Sequence, residues 1–391
     1  MNNIKKKILL FAPSNGGTTI APICLNLYKA LGQFENVEVK LVSIYKYENG
    51  RFDFGQCDYF DKQESGIKLL SFVRKVLWFK KVKKEFNPDI CINTLFICST
   101  ICVLSGGNDK KIGIFHSPHS QSATKGRFNL FLSYLSYKFI YPKLDKLFCV
   151  SKEIYDSIKT DFKNIPSEKL EVVYNIHDLE TIKSKTNEEL EPEHKEIFQN
   201  KVILYCGRLD KNKAPARLLH AFYRALNSLS ENIQLVYIGN DNEQIWPEME
   251  KFININNLQN KVKYLGLQTN PYKFIARSEV LVSCSYSEGL PGVLIESLFL
   301  KVPVISTNSS MGIWEIFSCN DMYDKNLSEN RILSNAIITP NLSHNNIKYE
   351  IIDSIQLQKA LIYRFENDMK VENFKFLDNV KAENVVAKYL I

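Results

Sequence analysis

Apolar positions along the chain follow two spacings that alternate. Uninterrupted apolar runs stand at residues 7–11 (KILLF), 37–44, 89–93 (DICIN), 111–115 (KIGIF) and 146–150 (KLFCV). After a polar gap a second series follows at 202–205 (VILY), 234–238 (QLVYI), 261–265, 280–283 (VLVS) and 303–306 (PVIS). Such runs suit strands that are covered on both faces of a sheet. Between them, apolar residues recur at intervals of three and four, the spacing of one helical stripe. Strands alternating with helices predict parallel sheets with helical crossovers, an α/β class. Two series predict two doubly wound, Rossmann-like domains.

The break between the series is residues 178–200 (DLETIKSKTNEELEPEHKEIFQN), rich in charge and poor in core formers. It places a linker near 173–200, a first domain over 1–175 and a second over 176–371. A last helical pattern at 372–391 carries Phe376, Val380, Val385 and Leu390 as its apolar positions. A length of 391 residues agrees with two cores, since single cores stop growing well before this size.

Composition is that of a globular protein, with 45% hydrophobic and 24% charged residues. The opening MNNIKKKILLFAPSNGG has the basic lead and apolar run of a secretion signal. Its apolar core at 8–12 is too short for one, and it reads as a first strand. No stretch reaches the length of a membrane-spanning helix. The nine cysteines form no Cys-x-x-Cys pair and mostly sit in apolar runs, as reduced core residues of a cytosolic protein do. The net charge of +7 is uneven. Residues 1–175 hold 26 Lys and Arg against 16 Asp and Glu, or +10, and the rest hold 24 against 27, or −3. The basic half points to an anionic partner. No aromatic-interleaved basic motif marks nucleic acid, so an anionic membrane surface or a phosphorylated lipid fits better.

In open parallel sheets, ligands bind at the carboxyl ends of the strands. The loop after the first strand (PSNGGTT) holds Gly16 and Gly17, which read either as a tight turn or as a backbone approach to phosphate. After 111–115 come His116 and His119, separated by Pro118. No acid or cysteine cluster completes a metal shell there. His116 at the strand end reads as a donor to a substrate oxygen or as a structural histidine. After 202–205 comes CGRLDKNK, where Arg208 and Lys213 read either as plain surface or as a diphosphate grip.

The stretch YSEGLPGVLIE at 286–296 sets Glu288 and Glu296 on either side of a helix start, with Pro291 in the first turn of a helix over 291–300. Glu296 lies about 7.5 Å along that helix at 1.5 Å per residue. Between the acids are the first free amides, an anion site. Carboxylates accept from hydroxyls and avoid phosphates. A ligand with hydroxyls at both ends and phosphates in the middle is a nucleotide sugar.

The E-x7-E element, the GRLD…K element and the early Gly-Gly loop resemble glycosyltransferase family 4, in order along nearly the whole chain. The resemblance implies the GT-B architecture, with two Rossmann-like domains facing a central cleft and a final helix over 372–391 packing on the first. It implies that Arg208 and Lys213 grip the donor diphosphate and that Glu288 binds sugar hydroxyls beside the Gly289 and Leu290 amides. Glu296 takes the ribose, Gly16 and Gly17 close over the β-phosphate, and His116 contacts the sugar near the reacting carbon. Two departures stand out: Lys213-Ala214 replaces the family's Lys-Gly, and NSSMGIWE at 308–315 only loosely follows Gly-Gly-x-x-Glu.

The implied activity is a retaining transfer from a nucleotide-diphosphate sugar, UDP-linked, to a glycan or polyprenyl-diphosphate acceptor in surface-polysaccharide synthesis. No Asp-x-Asp pair occurs, so neither a metal nor another cofactor is expected, and the glutamates hold the donor instead of moving protons. The segments 68–86 and 125–141, both basic and aromatic, are candidates for the acceptor or membrane side. For 68–86 the bland alternative is a helix with one face on the sheet and lysines in solvent. A nucleotide-sugar 2-epimerase and a non-catalytic partner subunit are the competing readings.

Overall fold

The computed structural model describes residues 5–16, 20–47, 53–60, 68–116, 134–229, 232–318, 323–341, 347–372 and 374–390. The chain divides into two compact units, residues 1–178 with 378–391 and residues 179–377. Residues 125–133 of the basic aromatic segment 125–141, His119 and Gly17 lie outside the described residues.

The first unit is built on seven parallel strands. They are β1 (Lys6–Ser14), β2 (Val37–Tyr45), β3 (Cys57–Tyr59), β4 (Ile90–Asn93), β5 (Lys110–Phe115), β6 (Lys146–Cys149) and β7 (Leu170–Val172). Their spatial order is β3-β2-β1-β4-β5-β6-β7. Side chains alternate across β1, as the period of two requires. Ile8, Leu10 and Ala12 join the core beneath α1 (Ile20–Gly32). Leu9 and Phe11 join the core beneath α2 (Lys68–Phe86) and α3 (Phe96–Leu104). Both faces are thus covered, which is why the strands read as unbroken apolar runs. The order reverses between β1 and β4, and that switch point opens a crevice at their carboxyl ends.

The chain's end returns to this unit. The expected single helix over 372–391 is instead a 3-10 turn at Lys375–Asn379, a helix at Ala382–Val386 and a further 3-10 turn at Ala387–Tyr389. Val380, Val385 and Val386 are buried. Tyr389 meets the Phe148 ring edge-on at 5.0 Å. The Lys388 ammonium pairs with Glu171 at 3.0 Å, and the His177 amide donates to the Val380 carbonyl at 3.1 Å.

The second unit repeats the plan. Its strands are β8 (Lys201–Cys206), β9 (Ile233–Ile238), β10 (Val262–Tyr264), β11 (Val280–Ser283), β12 (Val304–Thr307), β13 (Arg331–Ile332) and β14 (Ala336–Thr339). Their order is β10-β9-β8-β11-β12-β14-β13, parallel except for the antiparallel β13–β14 pair. Here the order reverses between β8 and β11. All ten expected strands form within a residue or three of their expected ends. The four extra strands, β3, β7, β13 and β14, are short edge or near-edge pieces with little pattern of their own.

The polar stretch at 178–200 is folded, as α5 (Leu179–Thr186) and α6 (Pro192–Ile197), following α4 (Lys152–Asp161) of the first unit. It is anchored by polar contacts, which hydrophobic spacing does not reveal. Lys273 pairs with Glu191 at 2.6 Å, and Asn270 donates to the Lys185 carbonyl at 2.8 Å. Hydrogen bonds from Lys273 and His194 hold the Glu191 carboxyl down to about 2.

Candidate functional site

In the second unit the loops after β8 and β11 are neighbours because these strands pair directly, Val280 opposite Ile203 and Leu281 opposite Leu204. The first loop is organised by Asp210, which is buried. Its Oδ1 accepts the Lys213 amide at 2.8 Å, its carbonyl accepts the Ala214 amide at 3.0 Å, and its Oδ2 pairs with Arg208 at 3.1 Å. The Tyr205 hydroxyl donates to the Arg208 carbonyl at 2.7 Å. Gly239 holds the neighbouring loop close, at φ 149°, where a Cβ would meet the Gly207 carbonyl oxygen at 1.7 Å. The loop then turns into α7 (Pro215–Ala225) through Ala214, which sits in the left-handed region at φ 46°, ψ 53°. Arg208 keeps half its side chain in solvent, at 52% exposure.

The second loop is stitched to the first. The Tyr286 amide donates to the Asn212 carbonyl at 2.8 Å, and Asn212 Nδ2 donates to the Ser287 carbonyl at 2.9 Å. Beneath it lies Arg217 on α7. It donates to the Cys284 carbonyl at 3.1 Å, pairs with Asp353 at 2.7 Å and faces the Tyr286 ring at 4.8 Å. Arg217 and Asp353 are both buried. Removing one partner of such a pair costs roughly 3–5 kcal/mol, because the other charge is left stranded.

These constraints aim Glu288. Its Oε1 accepts from the Lys213 ammonium at 2.5 Å and from the Ser285 hydroxyl at 2.5 Å. The Glu288 amide reaches the Ser309 carbonyl at 3.4 Å. The next carbonyl, of Gly289, accepts from Ser310 Oγ at 3.3 Å. Behind Gly289 stands Gly312 of the short helix Met311–Ile316, where a Cβ would meet the Gly289 oxygen at 2.1 Å. The segment that only loosely fits the family pattern therefore keeps a glycine where the loop needs one. Leu290 leads into the helix Gly292–Phe299, with Pro291 as its N-cap at φ −73°, ψ 103° and no side-chain cap bond. Proline was expected in the first turn and stands one step earlier. Glu296, half-buried, lies in that helix's second turn.

Arg208, Lys213, Glu288, Gly289 and Leu290 thus gather around the β8–β11 switch point. Asp210, Asn212, Ser285 and Arg217 were not anticipated. Asp210 had a signal, as an acid between two cations in CGRLDKNK. Ser285 and Arg217 act through contacts that no local pattern carries.

In the first unit, Gly16 is buried beside β1, its carbonyl accepting from Ser14 Oγ at 2.5 Å. Asn15 Oδ1 takes the Tyr47 amide at 2.8 Å. Past the end of β4, Thr94 Oγ1 donates to the Phe11 carbonyl at 3.1 Å. His116, at the end of β5, bonds to the Thr94 backbone, and burial pushes its pKa down to about 4. Its Nε2 is buried with no partner among the described residues. A neutral ring whose other nitrogen donates to a carbonyl leaves Nε2 as an acceptor.

Among the described residues the cysteines are free thiols, and no helix is long and apolar enough to cross a membrane. Family models match both units in turn. Residues 25–181 match Glycosyltransferase Family 4, and residues 186–331 match Glycosyl transferases group 1. The chain belongs to glycosyltransferase family 4.

The enzyme has the two Rossmann-like sheets of the GT-B fold. It is 27% identical to the uncharacterized glycosyltransferase MJ1059 of Methanocaldococcus jannaschii, over 81% of this chain and 78% of the relative. It is 34% identical to a Campylobacter jejuni protein over 49% of each chain. That relative is N-acetylgalactosamine-N,N'-diacetylbacillosaminyl-diphospho-undecaprenol 4-alpha-N-acetylgalactosaminyltransferase. Anabaena Alr3699/HepE, solved in complex with UDP and glucose, superposes with a TM-score of 0.66 at 13% identity, covering 98% of both chains.

Two outcomes follow for the isolated glycosyltransferase. A left-handed alanine costs roughly 1–2 kcal/mol, partly offset by the freer unfolded chain that glycine brings. Ala214→Gly should therefore raise stability by about 0.5–1 kcal/mol in urea unfolding, and a loss of stability contradicts the strain. His116 and His177 are both pushed by burial from 6.5 to about 4. The unfolded chain thus binds protons first as pH falls. This contribution to stability is complete above about pH 6.5 and is lost as pH falls toward 4. His116→Gln should flatten the fall in urea midpoint between pH 7 and 5, and an unchanged slope would contradict the assignment.

Proposed function

We propose that this glycosyltransferase moves a sugar from a UDP-sugar to a polyprenyl-diphosphate-linked or other glycolipid acceptor, with retention of anomeric configuration and without a divalent metal. The observation that carries the reading is the convergence of Arg208, Lys213 and Glu288 on adjacent strand ends at a switch point. Arg208 stands half exposed, one amine of its guanidinium on Asp210 and the remaining donors available to phosphate oxygens. Lys213 holds Glu288 with one face and offers the rest of its ammonium to the same diphosphate. The Glu288 carboxylate, with Oε1 already doubly occupied, presents Oε2 to a sugar hydroxyl. Glu296 lies farther along the helix and takes the ribose hydroxyls.

Charge grows on the leaving diphosphate as the glycosidic bond breaks. Arg208, Lys213 and the uncapped helix start at Gly292 stabilise it in place, and removing one such preorganised donor costs roughly 10²–10³-fold in rate. The acceptor hydroxyl then attacks from the face the diphosphate leaves, and a diphosphate oxygen takes its proton. In the first unit, His116 Nε2 is a free acceptor for a substrate hydroxyl. The lipid-linked acceptor rests on the Campylobacter jejuni relative, whose name carries a diphospho-undecaprenol substrate. UDP rests on the ligand of the Anabaena structure.

The membrane side is α2. Its inner face buries Phe79 and Val82, with Trp78 packed inward on Phe60 at 5.6 Å. Its outer face leaves Leu69 73% and Leu77 61% exposed, with Leu70 and Val73 beside them. Arg74, Lys80, Lys81 and Lys84 are exposed on the same helix. An apolar stripe edged by cations suits the surface of an anionic bilayer.

Glu288→Gln and Arg208→Ala should each lower sugar transfer by about 10²-fold or more with an unchanged melting temperature. Near-normal turnover of Glu288→Gln would remove Glu288 from the mechanism. Product analysis with donor alone separates transfer from 2-epimerisation. In flotation with vesicles containing phosphatidylglycerol, the protein should rise with the lipid at low salt and be released at high salt. Protein that stays at the bottom at low salt removes the membrane face.

A further inference from the structure

At the opposite end of the first sheet, away from the loops described above, a buried cluster of charge and sulfur remains unassigned. Lys83 on α2 is 6% exposed and its ammonium lies 2.6 Å from Asp109 Oδ1. Lys111, 12% exposed, approaches Asp109 Oδ2 at 3.5 Å. Two cations thus share one buried carboxylate; Lys83 also donates to Ser105 Oγ and the Gly106 carbonyl, and Lys111 to the Gly107 and Asp109 carbonyls. Beside them are two thiols, Cys91 on β4 and Cys102 on α3, both fully buried. Their sulfurs and an Asp109 oxygen all lie within 4.8 Å of one another. Cys102 Sγ is 4.0 Å from the Lys83 ammonium.

The Lys83 ammonium favours a thiolate on Cys102, the sulfur beside it. Burial opposes its ionisation, but the bond from Cys91 and the Lys83 ammonium outweigh burial and hold the Cys102 pKa below its ordinary value. Burial and the bond to Cys102 push the Cys91 thiol up instead. The sulfur beside the ammonium is thus the better nucleophile and its neighbour is placed to resolve, the arrangement of an attacking and a resolving cysteine. Two thiols and a carboxylate are also a donor set for a soft cation, but the two ammoniums on Asp109 already occupy that role. A cavity of about 670 Å³ lined by Lys83, Lys84, Ile90, Ser105, Asp109 and Lys110 reaches the Lys83–Asp109 pair, while the two buried thiols do not line it.

We propose that Cys91 and Cys102 form an oxidation site that a hydroperoxide converts to a disulfide. The Cys102 thiolate attacks one peroxide oxygen and the O–O bond breaks, leaving Cys102 sulfenic acid and hydroxide from hydrogen peroxide. The Cys91 sulfur then attacks the sulfenic sulfur. Its proton leaves with the sulfenic oxygen as water, and the S–S bond forms. The two sulfurs together lose two electrons, which the peroxide takes. Side-chain rotation must bring the sulfurs from within 4.8 Å to a bond length of about 2.05 Å.

The test treats the native full-length protein with hydrogen peroxide, quenches it in denaturant with N-ethylmaleimide and maps chymotryptic peptides by mass spectrometry. The peptides bearing Cys91 and Cys102 should become linked, with a loss of two hydrogens, while the equally buried Cys24, Cys149 and Cys284 stay alkylatable. Cys91→Ser protein, quenched with dimedone, should carry the adduct on Cys102, and Cys102→Ser protein should carry none on Cys91. Lys83→Met should slow the linkage about tenfold, the effect of one pKa unit on thiolate population. The proposal is overturned if Cys91 and Cys102 remain alkylatable after the more exposed Cys57 and Cys206 have oxidised. It is equally overturned if linkage keeps pace with oxidation of Cys24 and Cys149.

Discussion

The Lys213 ammonium and the Glu288 carboxylate meet although 75 residues separate them in the chain. The contact exists because β8 and β11 are neighbours at the point where strand order reverses. Helices leave the two strands on opposite faces there, so the loops have room to lean together. Everything nearby serves to fix that meeting. Asp210 shapes one loop, Asn212 ties it to the other, and Arg217 with Asp353 supports both from below. A lysine drawn toward a carboxylate is also held in place, so its charge can act on a ligand with little entropic loss.

Much of this was legible in the sequence, and the legible part has a common cause. Strands covered on both faces must be apolar throughout, so VILY and VLVS stand out without any knowledge of their partners. Loops at their carboxyl ends then localise Arg208, Lys213 and Glu288 by position alone. What escaped depends on contacts across the chain. Ser285 looks like any loop serine until Glu288 folds back on it. Arg217 lies on an ordinary helical stripe, and only the fold brings Asp353, 136 positions away, against it. At residues 178–200 the two short helices escaped because ion pairs and backbone bonds, which hydrophobic spacing ignores, fasten them. The segment 68–86 was likewise open, since a helix periodicity does not say which aromatic faces the sheet.

The two ends of the first sheet do different work with the same strands. At the carboxyl ends, β1, β4 and β5 lead to Gly16, Thr94 and His116. At the amino ends, the same elements bury Lys83 and Asp109 beside two thiols. Ala214 shows a related economy in the second unit. The left-handed turn before α7 directly follows Lys213, and the chain keeps it with an alanine at some cost in stability.

The central claim is that Arg208 and Lys213 form a diphosphate site, and titration calorimetry tests it most directly. UDP and UMP would be titrated into the wild-type enzyme and into Lys213→Ala. UDP should bind the wild type at least about tenfold more tightly than UMP, a difference of about 1.4 kcal/mol, and the preference should vanish in Lys213→Ala. Equal binding of UDP and UMP by the wild type, or an undiminished preference in the variant, would contradict it.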